Sequence, residues 1–177
     1  ITVINVNDPP IIESIVDQIM YEDSQLTLTV TASDSDNVTL SYDAFSNTAD
    51  VIVGMVGTQL TLIPAENWFG GATITVTVSD GIDPVSTQFL LTVESINDAP
   101  YFVGLENQEV DEGATLEFAI LSEDIEGQNI DLTIFETDLP ENVPALSDNG
   151  DGTGTFTWEA PFSVEGTYSV TLRTTDS

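Results

Sequence analysis

Apolar and polar residues alternate one for one along several short stretches of the chain. Gln25 to Ala32, Ala72 to Ser79 and Thr167 to Arg173 all follow this period of two. Thr, Val and Ile dominate these stretches, as residues that fit a pleated surface do. One face of each is apolar and the other is Thr or Ser, so each strand is expected to have one buried and one wet face. No stretch carries the 3.6-residue period of a capped helix. The pattern predicts strands over 11–19, 25–33, 38–45, 50–55, 58–63, 71–79 and 86–96. It predicts a second series over 101–110, 114–122, 130–136, 143–147, 153–158 and 166–175.

The two series are copies of one unit. Asn7-Asp8-Pro9-Pro10 recurs 90 residues later as Asn97-Asp98-Ala99-Pro100, and Asp34-Ser35-Asp36 recurs at the same offset as Asp124-Ile125-Glu126. The pair Glu22-Asp23 has Asp111-Glu112 as its counterpart. Further on, Gly70 to Asp80 matches Gly166 to Asp176 at an offset of 96. Short strands at roughly 8–12 residue spacing, repeated twice, predict an all-β chain of two tandem immunoglobulin-like β-sandwiches. The expected division is 1–8 as the tail of a preceding repeat and its linker, 9–96 as the first sandwich, 97–100 as a linker and 101–177 as the second. The second sandwich is expected to lack its last strand. Its bare edge invites strand exchange between copies, with residues 1–6 of a neighbouring molecule as the candidate to fill the place.

Charge changes the picture. Lys and Arg together number 1, Asp and Glu 31, and the formal net charge is −30. Arg173 is the sole cation, so almost no carboxylate has a side-chain partner of opposite sign. Self-repulsion on this scale disfavours a compact state unless salt or bound cations neutralise it. Nucleic acid and anionic membrane are excluded as partners, since both select basic patches. No apolar run approaches the roughly 18 residues of a bilayer span, so membrane insertion is not expected. Cys, His and Lys are absent, which removes the commonest general bases and every Ser-His or Cys-His arrangement. A carboxylate pair of glycosidase type is numerically possible, but nothing in the sequence places two acids across a cleft with one in an apolar pocket. The chain is therefore read as not an enzyme.

Glu66-Asn67-Trp68-Phe69-Gly70-Gly71, the alternating strand after it, Val78-Ser79-Asp80-Gly81 and the closing Ile96-Asn97-Asp98-Ala99-Pro100 resemble bacterial cadherin-like repeats. The second copy has Asp111-Glu112-Gly113, Ser122-Glu123-Asp124, Thr155-Phe156-Thr157-Trp158, Gly166-Thr167-Tyr168 and Thr175-Asp176. It is more similar to dystroglycan-type cadherin-like and bacterial Ig-like domains. The resemblance implies Ca²⁺ bound at junctions between repeats. The chemistry agrees, because Ca²⁺ takes about 6–8 oxygen ligands from carboxylates, carbonyls and water. Carried over position by position, the resemblance implies one junction set of Glu22, Glu66, Asn97, Asp98, Asp124, Glu126 and Asp176. It implies a second set of Asn7, Asp8, Asp34, Asp36 and Asp80. Two departures stand out. Ile96 and Val6 occupy the place of a further acid before Asn-Asp, and Glu126 stands where Asp is usual. Fewer ions are expected than in animal cadherin junctions, roughly one or two per junction.

Three other signals carry less. Asp148-Asn149-Gly150-Asp151-Gly152 departs from the EF-hand spacing and reads as a hairpin turn. Trp68, Phe69, Trp158 and Phe162 read as core or end-covering aromatics rather than a sugar-stacking platform. Asn37-Val38-Thr39 matches the glycosylation acceptor pattern, which is uninformative if the source is bacterial. The function expected is a calcium-rigidified spacer or adhesion repeat of a large secreted or cell-surface protein, partnered by neighbouring repeats of the same chain. The alternative is a module of a secreted multidomain protein or enzyme that binds polysaccharide or another protein.

Overall fold

The computed structural model describes residues 1–36 and 39–176. Asn37, Val38 and Ser177 lie outside it, and with them the glycosylation pattern and the first residue of the 38–45 stretch. The chain forms two compact units, Ile1–Ile96 and Asn97–Ser177. All regular structure in the described residues is β.

In the first unit the strands are β1 (Ile11–Ile12), β2 (Gln18–Tyr21), β3 (Leu26–Thr29), β4 (Ala32–Ser33), β5 (Ser41–Ser46), β6 (Val51–Val56), β7 (Gln59–Pro64), β8 (Gly70–Ser79) and β9 (Pro84–Glu94). One sheet runs β2-β9-β8-β5 and another β3-β7-β6, with a short β1-β4 ladder beside them. Every pairing is antiparallel except β2 with β9, which is parallel. The alternation read from sequence becomes the core. Met20, Ala72, Ile74, Val76, Val78, Phe89, Leu91 and Val93 come from one sheet; Leu60, Leu62, Val51 and the neighbouring Val30 come from the other side. The stretch 11–19 is not one strand, nor is 25–33. In both, an edge segment changes partner partway, β1 on β4 and then β2 on β9, as strands that switch sheets do.

In the second unit the strands are β10 (Tyr101–Phe102), β11 (Thr115–Glu123), β12 (Ile130–Thr137), β13 (Ala145–Asp148), β14 (Thr153–Glu159) and β15 (Val170–Asp176). The order is β10-β11-β14-β13 in one sheet and β12-β15 in the other. Ile120, Ile130, Leu132, Phe156, Trp158 and Ala160 form the core, with the Phe118 and Phe156 rings stacked at 5.0 Å. Buried Ser122 ties the two sheets, bonding the Tyr101 carbonyl at 3.0 Å and the Thr174 hydroxyl at 2.7 Å.

Two expected strands of this unit are much shorter than the alternation predicts. Only Tyr101–Phe102 of 101–110 is strand, and 166–175 begins at Val170. The first unit shows the reason. There Gln18–Tyr21 pairs with Leu91–Glu94 of β9, and Gly70–Thr73 pairs with Leu90–Val93. Among the described residues the second unit has no counterpart of β9, so the corresponding segments have no ladder to join.

The Asp148 to Gly152 segment is the hairpin between β13 and β14. Asp148 is occupied by the N–H groups of Gly150 and Leu132, at 2.9 Å each. Gly152 has φ +82 and a Cβ there would meet the Ser122 carbonyl at 2.3 Å, so only glycine fits. Trp158 is 4% exposed and donates its indole N–H to the Asn142 carbonyl at 2.9 Å, while Trp68 packs partly buried on the first core. Phe69 and Phe162 differ from the expectation and lie exposed. Phe162 lies against Gly113, where a Cβ would meet its ring at 2.3 Å.

Candidate metal centre

The acids of the first unit converge on its N-terminal end. The loop after β4 carries Asp34 and Asp36, the end of β8 carries Asp80, and the chain entering β1 carries Asn7 and Asp8. Asn7 donates its side-chain amide to Asp80 at 2.8 Å and to Asp83 at 2.9 Å. The Asp8 N–H donates to Asp36 at 2.8 Å, and the Asn5 amide reaches the other Asp36 oxygen at 2.9 Å. Ser35 donates to Asp8 at 3.0 Å, and the Asp36 N–H donates to Asp34 at 2.7 Å. All five expected residues of this set are thus brought together.

These contacts lower two carboxyl pKa values. The Asp8 N–H and the Asn5 amide hold Asp36 below its ordinary value. The N–H groups of Asp83 and Ile82, with the Asn7 amide, do the same for Asp80. A carboxylate that accepts several N–H bonds keeps its charge, which is the state a metal ligand needs.

The second unit repeats the arrangement. Asn97 donates to Asp176 at 2.7 Å, as Asn7 does to Asp80. The Asp98 N–H donates to Glu126 at 3.1 Å, as Asp8 does to Asp36. Asp124 accepts the Gln128 N–H at 3.1 Å, and the Gln128 side chain bonds Asn97. The departure from Asp to Glu at position 126 therefore leaves the linker contact in place.

Both sets contain carboxylate oxygens that are buried and accept no hydrogen bond: Asp34 Oδ2 in the first, Asp124 Oδ2 and Glu126 Oε1 in the second. A buried carboxylate oxygen without a donor is costly. Hard oxygen donors clustered in this way fit a divalent cation of the Ca²⁺ type.

The remaining two expected residues lie at the opposite, C-terminal end of the first unit's strand order. Glu22 is 1% exposed and held by the end of β9: its N–H donates to the Glu94 carbonyl at 3.0 Å, and its Oε1 accepts the Ile96 N–H at 2.7 Å. Its other oxygen is buried and accepts nothing. Glu66 is exposed, and its neighbour Asn67 makes the local contact, donating its N–H to Asp23 at 3.1 Å. Sequence reasoning missed Asn5, Asp23, Asp83 and Gln128. Asp83 lies three residues past Asp80 in a turn, a spacing with a signal. The others have none in a chain this rich in polar loops.

The comparisons agree with this architecture. The family described as bacterial Ig domain matches residues 7–92 and again residues 97–177. No curated protein matches. Among solved structures, human protocadherin-24 EC1-2 is similar at 19% identity and a TM-score of 0.55, covering 96% of this chain and 88% of that one. The human desmocollin-1 ectodomain is similar at 14% identity and a TM-score of 0.54, covering 98% of this chain and 35% of that one. An endo-fucoidan hydrolase of glycoside hydrolase family 107 matches at 17% identity and a TM-score of 0.45, over 94% of this chain. The present chain spans 26% of that hydrolase.

Proposed function

For a chain that belongs to the bacterial Ig domain family, as two tandem repeats, we propose the role of a calcium-rigidified spacer in a larger secreted or cell-surface protein. Family membership and the cadherin-like fold make it a repeat module, of a kind that is typically non-catalytic. The observation that carries the calcium reading is duplication. An Asn-Asp linker pair, an acidic loop and the Asp at the end of a long strand are wired alike in both units. A turn motif alone would not bring the same three segments together twice.

Asn7, Asp8, Asp34, Asp36 and Asp80 would hold the ion of the first set. Asn97, Asp98, Asp124, Glu126 and Asp176 would hold that of the second, with Glu22 and Glu66 added by the resemblance to cadherin-like repeats. The ion supplies the positive charge that the sequence lacks. The residues themselves hold the linker to the domain end and keep their carboxylates ionised. Extracellular modules bind Ca²⁺ at about 10⁻⁴–10⁻³ M, a concentration met outside cells. No helix in the described residues is long and apolar enough to cross a membrane. The binding-module alternative is less well supported, because the Trp158 ring is buried in the core rather than offered at a surface.

The test is thermal unfolding in EDTA and across a Ca²⁺ titration, with Mg²⁺ and NaCl at matched ionic strength. Binding at about 100 times Kd adds about 2.7 kcal/mol, which for a unit of this size raises Tm by roughly 10 °C or more. The rise should be specific to Ca²⁺ and lost in Asp98→Ala/Asp124→Ala. An equal response to Ca²⁺, Mg²⁺ and NaCl would reduce the acids to a screened surface.

A further inference from the structure

Two tight turns meet at the end of the first unit that holds Glu22. One joins β2 to β3 and carries Glu22 and Asp23; the other joins β7 to β8 and carries Glu66 and Asn67. A hydrogen bond ties them: the Asn67 N–H donates to Asp23 Oδ1 at 3.1 Å. Glu22 lies one residue before one end of that bond, and Glu66 one residue before the other.

Both partners of the bond have left-handed backbones, Asp23 at φ +54 and Asn67 at φ +56. A side chain makes that region costly, though less so for Asp and Asn than for other residues. The second unit repeats the backbone geometry. At the repeat offsets of 90 and 96 residues, Gly113 and Ser163 take these two places, with φ +76 and +67. Glycine at the first place satisfies the turn without strain. The first unit has aspartate there instead, and what aspartate adds is an acceptor for the Asn67 N–H.

The ends of the 65–68 turn are held elsewhere. The Ala65 N–H donates to the Asp50 carbonyl at 2.7 Å, the Trp68 N–H to the Ala65 carbonyl at 3.1 Å, and the Trp68 ring packs on the core. Asp23 holds the middle of the turn, where Glu66 is exposed. Glu22, by contrast, is 1% exposed, with Oε1 on the Ile96 N–H at 2.7 Å and Oε2 buried and accepting no hydrogen bond. The only Lys or Arg of the chain is Arg173, in the second unit, so no side-chain cation of the first unit can serve that oxygen. Three carboxylates on two touching turns repel one another, and the Asp23 bond resists that repulsion.

We propose that Asp23 is a positioning residue for cation binding: it clasps the Glu66-Asn67 turn to the Glu22 turn and so presents Glu66 beside the buried Glu22 oxygen before the ion arrives. The proposal rests on the reading of Glu22 and Glu66 as Ca²⁺ ligands and adds a residue that is not itself a ligand. With the turns already tied, the ion does not have to order the Glu66 loop, and that saving appears as affinity.

Two substitutions isolate the clasp. Asp23→Asn keeps an oxygen for the Asn67 N–H, and Asp23→Gly removes it. Both remove the same charge, and both accept a left-handed backbone. The readout is the apparent Kd for Ca²⁺ at matched ionic strength, followed by NMR at the backbone amides of Glu22 and Glu66 in the full chain, with Tm in EDTA measured beside it. Asp23→Gly should bind about fivefold more weakly than Asp23→Asn, the worth of one hydrogen bond. In EDTA the Asn67 amide should exchange with solvent faster in Asp23→Gly than in Asp23→Asn. If the two variants bound equally and both more weakly than the parent, Asp23 would act through its charge, and the clasp would be overturned. If Asp23→Gly lowered Tm in EDTA while its Kd matched that of Asp23→Asn, the bond would be structural only, which also overturns the proposal. A parent whose Glu22 and Glu66 amides ignore Ca²⁺ would remove both acids from the metal reading and the proposal with them. That failure shows in the parent alone, before any variant is made.

Discussion

The two units start from the same pattern and finish differently. In the first, β9 completes a sheet and twelve apolar side chains are buried. In the second, where no described strand takes that place, six are. The lower burial of the second unit extends beyond the place that β9 takes in the first. Residues 103–110 and 166–169 have strand-like sequences and no strand structure, and Glu112 lies open where Glu22 is enclosed. One strand therefore sets the state of two neighbours and a buried acid, because sheet structure is held by cross-strand partners more than by local propensity.

The largest expected effect sharpens this contrast directly. Val76→Ala removes a smaller group than Leu172→Ala, at the matching position of the other repeat. Yet Val76 is fully buried between β5 and β9, and Leu172 is half-buried in β15. Val76→Ala should cost about 2.5 kcal/mol through transfer and cavity terms, and Leu172→Ala about 1 kcal/mol. Urea titrations read through the two unfolding transitions would measure both. Equal costs would mean that the second core is closed in solution.

What could be read in advance follows the same division. The repeat, the all-β class, the buried face of each long strand and both linker-centred acidic sets are local patterns, and the sequence displays them. Residues 101–110 alternate well enough to be read as a strand, but whether they become one depends on a partner no local pattern encodes. The edge segments 11–19 and 25–33 misled in a related way, since alternation does not mark where a strand changes sheet. In the acidic sets, Asp83 and Gln128 escaped notice because their role comes from turns that bring a side-chain oxygen or a backbone N–H to Asp80, Asp124 and the linker asparagines. Glu22 was found through resemblance, but its burial was not foreseen, as it depends on backbone groups 72 and 74 residues away.

Glu22 offers the next test, with an expected change of sign. Glu22→Gln keeps an oxygen for the Ile96 N–H and removes a buried charge. Without metal it should be neutral or stabilising by up to about 1 kcal/mol, because desolvating an unpaired carboxylate is costly. In saturating Ca²⁺ it should be destabilising, as a ligand charge is lost. Glu112→Gln, on the exposed counterpart, should stay within about 0.5 kcal/mol in both conditions. Chemical denaturation with and without EDTA distinguishes the cases. A Glu22→Gln effect of the same sign in both would remove Glu22 from the metal set.

The smallest expected effect concerns acid. Asp36 and Asp80 are exposed enough that their lowered pKa values are worth little in stability, but the sign is definite. A carboxyl with a folded pKa below its unfolded value of about 3.9 adds stability above that value, and the contribution disappears as pH falls through the lower folded value. In EDTA, carboxyl-carbon NMR should show Asp36 and Asp80 titrating below Asp residues in open loops. Asn5→Ala should move Asp36 back toward the ordinary value and leave Asp80 in place, since Asp80 is held instead by Asp83, Ile82 and Asn7. Asn7→Ala should do the converse. If both variants shifted both carboxyls together, the linker would hold the two acids as one coupled unit. The hydrogen bonds divide them into two, with Asn5 and Asp8 on Asp36 and Asn7 on Asp80.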